Sequence, residues 1–370
     1  MLKGISGDRL FFLIVVILVV GGMAMFVSAS LGLLARADES PLKLAFTQLI
    51  LGLIPGVIAL VTIRYTPLSF IQKLAPAIYL ASIAATALVF TPLGPTLNGA
   101  RRWIDIGFTT VQPAELLKIG VVLMLAWYLA KMKGKLQSFT SGLIPFGLIV
   151  GIPVVLLLLQ PNTSTVLVLG ATSIALYILA GGPWRDVLLM VVGALLVLAI
   201  LVGQRPYLMN RVMTFMNPAE NSLTTGYQIQ QSLIAIGSGG FMGRGFGQSA
   251  QKFNYLPEAQ GDSVFAVFSE EFGFIGSVFM VLLFVGFAMR GFSIAADAST
   301  LFGSLAATGL TLLISLSAFL NIGAMLAILP LTGLPLPFVS HGGTALLFAL
   351  ASVGIILNVA AHRKGKTASK

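Results

Sequence analysis

Five short stretches hold the residues whose types and spacing can do chemistry. Asp262 ends the run Tyr255-Leu256-Pro257-Glu258-Ala259-Gln260-Gly261-Asp262, immediately before a long apolar segment. A carboxylate at a dry boundary tends to a raised pKa, which suits a general base, although aspartate also caps helices well. Glu270 lies eight residues on, about 12 Å along a helix. That exceeds the ~5–9.5 Å of paired glycosidase carboxylates, so Glu270 and Glu271 read as buried pairing partners. A second stretch, Asn98-Gly99-Ala100-Arg101-Arg102-Trp103-Ile104, sets two arginines beside a tryptophan. Such a group can grip phosphate in a bidentate way or, more plainly, anchor at lipid headgroups. The third is Gln112-Pro113-Ala114-Glu115-Leu116-Leu117-Lys118. Glu115 and Lys118 share a helix face inside an apolar run, as a functional pair or a self-neutralised structural one.

The remaining two are rich in glycine. Ile236 to Gly247 has GxGxxG-like spacings without the strand–helix–strand context of a dinucleotide site. It reads as a tight loop whose backbone closely approaches something. Gly333 to Thr344, with two prolines and the pair Ser340-His341, reads as a stiff re-entrant or interfacial turn. His341 either titrates near neutral pH or hydrogen-bonds across a helix junction.

Positioning these residues falls to membrane helices. Of 370 residues 57% are hydrophobic and only 9% charged, against about 25% charged in soluble domains. That composition excludes a soluble domain and a disordered chain alike. Without cysteine there is no disulfide, thiolate metal site or cysteine nucleophile, and two histidines are too few for a histidine metal cage. Apolar runs predict ten spans at 10–31, 44–64, 74–91, 113–130, 143–159, 163–181, 187–203, 264–289, 301–329 and 344–361. The first is longer than a signal-peptide core and is kept as a span. The expected fold is therefore all-α and polytopic, a single domain over 1–370 with both termini cytoplasmic.

Net charge fixes the orientation. The face holding both termini, with Lys3, the Lys131–Lys135 cluster, Arg185, Arg290 and the basic end through Lys364, Lys366 and Lys370, carries the whole +10, and everything else sums to zero. The positive-inside rule makes that face cytoplasmic, so the charge is an orientation signal and nucleic acid is not an expected partner. The long loop 204–262 then faces outward. Its stretch around Tyr227–Ile236 is amphipathic and predicts an interfacial helix on the bilayer.

Together and in this order, "NGARRWI", "QPAELLK", "IGSGG", "LPEAQGDSVFAV" with Glu270-Glu271, and "GLPLPFVSHGGT" resemble the SEDS family (shape, elongation, division and sporulation) over essentially the whole chain. Residues 251–257 look closer to its FtsW-like than its RodA-like members. The resemblance implies a peptidoglycan glycosyltransferase in the bacterial inner membrane. It would polymerise lipid II, carried on undecaprenyl pyrophosphate, into β-1,4-linked glycan at the outer leaflet. A class B penicillin-binding protein would be its partner and a divalent cation, Mg or Mn, its cofactor, with no organic cofactor. The family's essential loop aspartate falls on Asp262, its arginine before tryptophan on Arg102 and its Glu–Lys pair on Glu115 and Lys118. Arg101, Ser340 and His341 complete the substrate-binding candidates. Three motifs depart from the family pattern. Gln260-Gly261-Asp262-Ser263 stands for His-Thr-Asp-Phe, Ser340-His341-Gly342-Gly343-Thr344 for Ser-Tyr-Gly-Gly-Ser, and Gln160-Pro161-Asn162 for Gln-Pro-Asp. Rival readings are a flippase or transporter for lipid-linked precursors, to which intramembrane charge and proline-broken spans are suited, and a non-catalytic scaffold for the partner synthase.

Overall fold

A computed structural model describes residues 8–32, 46–96, 99–107, 109–216, 225–253 and 255–363. Lys3, Asn98, the loop residues 217–224, Asn254, Lys364, Lys366 and Lys370 lie outside the described residues. Ten apolar helices form where the hydropathy puts them: α1 Arg9–Ser30, α2 Gln48–Tyr65, α3 Leu68–Ala87, α4 Pro113–Lys131, α5 Leu143–Leu159, α6 Thr163–Leu179, α7 Trp184–Gln204, and, after two loop helices, α10 Val264–Ala296, α11 Leu301–Met325 and α12 Gly343–Ala361. Eight are at least 18 residues long counting flanking turns; α5 and α6, at 17 residues each, are the short ones.

Helices α3 and α10 start or end well beyond the predicted spans. Helix α3 starts at Leu68 because Pro67 sets it off and Ser69, Gln72 and Lys73 continue it, although they are polar. Helix α10 continues past Met289 to Ala296, since Arg290 is neutralised by Asp8. Asp8 also caps α1, accepting from the Phe11 amide at 3.0 Å, and it pairs with Arg363 at 2.6 Å. The start of α1 and the ends of α10 and α12 thus share one face, as the charge count required.

Helix α11 is the most enclosed, with 78% of its apolar window buried; α7 has 11% and faces lipid along most of its length. Helices α2 and α12 pack backbone to backbone. A methyl group at Gly354 would sit 2.9 Å from the Leu60 Cα, the small-residue contact that membrane helices use. The first turns of α2 (Gln48–Leu53) are a π-helix, which turns the buried Gln48 toward the α11–α12 loop.

One all-α expectation needs an addition. Ile104–Asp105 and Thr110–Val111 pair as a short antiparallel hairpin, β1–β2, just after Arg102. Asp105 Oδ1 accepts from the Gly107 amide at 2.8 Å, and Gly107 takes φ +91° to close the turn.

The outer loop folds as α8 Pro206–Met216 and α9 Thr225–Ser238. Helix α9 forms where amphipathicity predicts a helix, but it is docked on protein. Ile229, Ser232 and Ala235 are buried, the Ser232 hydroxyl lies 3.5 Å from Met325 Sδ on α11, and Leu233 and Ile234 are left outward.

The glycine-rich stretch now has its partner. Helix α10 breaks at Gly273, whose φ and ψ are +66° and −162°. The loop after α9 enters the break: Arg244 and Gly245 amides donate to the Glu270 and Glu271 carbonyls, and Phe274 donates to Gly240 O. A Cβ at Gly243 would lie 2.1 Å from the Glu271 carbonyl oxygen. Broken helices are tolerated in membranes when another segment re-satisfies the freed groups, and this loop does so.

Candidate functional site

Asp262 sits one residue before the N-cap of α10, which is Ser263, and caps nothing. Its backbone carbonyl accepts from Asn321 Nδ2 of α11 at 2.7 Å, and the same amide donates to Leu334 O at 2.7 Å. The aspartate is thereby pinned to the α11–α12 loop. Its Oδ1 accepts from Gln228 Nε2 of α9 at 3.2 Å. Burial pushes the Asp262 carboxyl up to about 6, and the negative charge of Glu258 adds to the rise; the Gln228 hydrogen bond and the Arg211 guanidinium pull the other way. Asp262 is thus ionised at neutral pH yet basic enough to take a proton.

Arg102 reaches the same pole. It donates to Gln160 O at 3.2 Å and Pro161 O at 2.5 Å, which closes the C-terminal end of α5. Burial and the nearby Arg211 guanidinium lower its pKa, so the two cations feel one another. Arg101 is exposed and donates to Thr96 Oγ1 at 3.1 Å, away from this group.

Glu115 and Lys118 form the i, i+3 ion pair that their spacing predicts, at 2.9 Å. They line a cleft between α4, α11, α12 and residues 334–340, walled by Ile119, Leu313, Phe338 and Phe348 among others. The Lys118 ammonium is therefore matched by its own carboxylate within an apolar groove. Ser340 joins the groove to Asp262. It lines the cleft, accepts from the Leu336 amide at 2.8 Å and donates to Gly261 O at 2.6 Å. His341 donates its amide to Gln260 O at 2.7 Å, and its ring stacks on Phe26 at 5.4 Å. Both residues brace the Asp262 loop, with the Ser340 hydroxyl fully engaged by protein. Substituting Ser340 by Ala is expected to leave two buried groups unpaired and to lower stability by about 1–3 kcal/mol. A melting temperature equal to wild type in the same detergent would count against that bracing.

Two of the departures from the family pattern meet here, since Gln260-Gly261 faces Ser340-His341 directly. Glu270 and Glu271 are fully buried and ion-paired, with Arg244 at 3.0 Å and Lys252 at 2.8 Å. Arg211, Gln228, Glu258 and Asn321 around Asp262 escaped the sequence reading. Among them only Glu258 stood inside a motif, and a lone polar residue on a loop helix gives no signal until the loop is folded.

Among the described residues no three His, Cys, Asp or Glu side chains come together as a metal cage.

Comparison with known proteins agrees with this architecture. A family model described as "Cell cycle protein", covering FtsW, RodA and SpoVE, matches residues 8–365. A "Probable peptidoglycan glycosyltransferase FtsW" of Geobacter sp. (strain M18) is 35% identical over 97% of this chain and 98% of its own length. "Stage V sporulation protein E" of Bacillus subtilis (strain 168) is 35% identical over 98% and 99%. A chain in a solved peptidoglycan synthase complex, studied for coordination of polymerization and crosslinking, superposes with TM-score 0.79 at 28% identity, covering 97% of this chain and 99% of that one. The rod shape determining protein RodA of Thermus thermophilus gives TM-score 0.67 at 27% identity, covering 95% and 97%. Matched over nearly its whole length, the chain belongs to the FtsW/RodA/SpoVE family, the SEDS family of polytopic membrane proteins.

Proposed function

We propose that this protein is a peptidoglycan glycosyltransferase that polymerises lipid II at the outer face of the bacterial inner membrane, with Asp262 as general base. The observation that carries the reading is the placement of Asp262. A partly buried carboxylate, pushed up to about 6, stands within the field of Arg211, and Ser340 ties its loop to an apolar groove.

The chemistry follows from these positions. Asp262 takes the proton of the acceptor sugar's 4-hydroxyl as that oxygen bonds to the donor's anomeric carbon. The bond from that carbon to the pyrophosphate oxygen breaks with inversion, and its electron pair leaves on the pyrophosphate. Arg102 offers fixed positive charge to the leaving group. The groove beside Glu115 and Lys118 is suited to polyprenyl methylenes, and its ion pair adds no net charge to repel them. A divalent cation carried in with the substrate pyrophosphate would supply further charge neutralisation near Asp262. A class B penicillin-binding protein is the proposed partner, as a chain similar to this one is part of a peptidoglycan synthase complex.

Purified protein incubated with labelled lipid II, with and without the partner, tests the reading. Polymer supports it, whereas translocation without polymer, or neither, favours a flippase or a scaffold. The titration of Asp262 adds a second expectation. A base works only when deprotonated, so polymerisation should rise as pH is raised through about 6 and level off above it. A rate that falls over that interval contradicts the assignment.

A further inference from the structure

We propose that Arg211 is a second phosphate-binding residue, which closes with Arg102 on the donor's pyrophosphate across the gap beside Gly333. The inference rests on the glycosyl-transfer reading and adds to it a residue that no motif contains.

Charge pairing leaves Arg211 among the outer-face arginines without a carboxylate partner, with Arg101, Arg102 and Arg205, and it alone of these lies within the field of Asp262. Lys118, Arg244 and Lys252 each have a carboxylate within 3.0 Å. Arg102 and Arg211 form no ion pair among the described residues, although Asp262 is close enough to feel Arg211. Two guanidinium groups held near each other repel, and Asp262 offsets only part of that charge, so a further anion between them is favourable. Such an arrangement suits a doubly charged, multi-oxygen ligand.

Geometry directs Arg211 to the reacting position. Its Nη1 donates to Thr332 O at 3.3 Å, and its guanidinium lies 5.9 Å from the Tyr207 ring centroid. The Tyr207 hydroxyl is itself 2.8 Å from Thr163 Oγ1 at the start of α6, so the platform is fixed. The other nitrogen, Nη2, faces a gap. A methyl group placed on Gly333 would be 3.5 Å from Arg211 Nη2 and 3.8 Å from Asp262 Oδ2. Gly333, at φ +65°, keeps that space open, and the cation and the base both border it. As the carbon–oxygen bond to pyrophosphate breaks, negative charge grows on the leaving oxygens while the acceptor's proton passes to Asp262. A guanidinium at the edge of the same gap stabilises that charge as it develops.

Full-length Arg211→Ala and Arg211→Gln variants test this, assayed for lipid II polymerisation and for inhibition by inorganic pyrophosphate. Gln keeps a polar amide on the same stem and removes the charge and the fork. Both variants are expected to lose roughly 10²-fold in kcat, with a smaller change in KM, and pyrophosphate inhibition should weaken at least about 10-fold. A pyrophosphate-induced rise in melting temperature, read on Asp262→Asn protein with and without Arg211→Gln, reports binding without turnover. It decides the question even where Arg211→Ala folds poorly. Wild-type kcat and an unchanged pyrophosphate response in Arg211→Gln would overturn the proposal. A wild-type protein that makes no polymer, yet binds pyrophosphate through Arg211, would instead overturn the transferase reading and leave the anion site standing.

Discussion

Asp262→Asn is expected to lower lipid II polymerisation by roughly 10²–10⁴-fold, the contribution of a positioned general base, while the protein stays folded. Asparagine has the shape of aspartate, and its Oδ1 can still accept from Gln228 Nε2. The backbone carbonyl that Asn321 holds is untouched. Removing the negative charge also ends its attraction to Arg211, a small change beside the loss of the base. The pH response separates a base from a mere spacer. In the wild type the rate should climb through about pH 6, and in Asp262→Asn the residual rate should be flat across that interval. Melting temperature and elution volume report whether the variant is folded. Folded Asp262→Asn protein that polymerises at the wild-type rate would falsify the assignment, whatever the family implies.

Hydrophobic length was enough to read the helices, because a span needs about 20 apolar residues and little else in this chain is so long. Ends were harder wherever charge is neutralised in space. Arg290 looks like a terminus until Asp8, from the far end of the chain, is seen to pair with it. The break at Gly273 left no trace in hydropathy, since Phe272-Gly273-Phe274-Ile275 is apolar throughout. What marked it was the glycine density of residues 236–247, and that told only of close approach, with the target unnamed. At the site, Asp262, Arg102, Glu115 and Lys118 were legible because ionisable residues are conspicuous beside apolar spans. Their grouping was less so. Glu115 and Lys118 satisfy each other in the groove, Arg102 also braces the end of α5, and Arg211 comes to Asp262 only through the packing of α8. Asn321 lies within α11, and only the folded loop around Leu334 shows why an amide belongs there.

That same break sets the other large effect. Lys252→Met is expected to destabilise the protein by about 3–5 kcal/mol, the cost of removing one member of a buried ion pair. Both side chains, Lys252 and Glu271, are fully buried. The Lys252 ammonium donates to Glu271 Oε1 at 2.8 Å, to Gly247 O at 2.8 Å and to Ser28 Oγ of α1 at 3.0 Å. One cation therefore ties α1, the glycine-rich loop and the helix just before Gly273. Without it Glu271 keeps only the Ser28 hydroxyl and a long 3.4 Å contact from the Ser249 amide. The loop that satisfies the Glu270 and Glu271 carbonyls loses its clamp as well. Adding Glu271→Gln should recover a large part of the loss, because the amide removes the uncompensated charge and still accepts from Ser28. Thermal unfolding of the two variants in one detergent measures both steps. A single variant that melts with the wild type would mean that the glycine-rich loop holds the broken helix through its backbone alone. The double variant melting no higher than the single one would mean that shape, and not charge, is what the pair supplies.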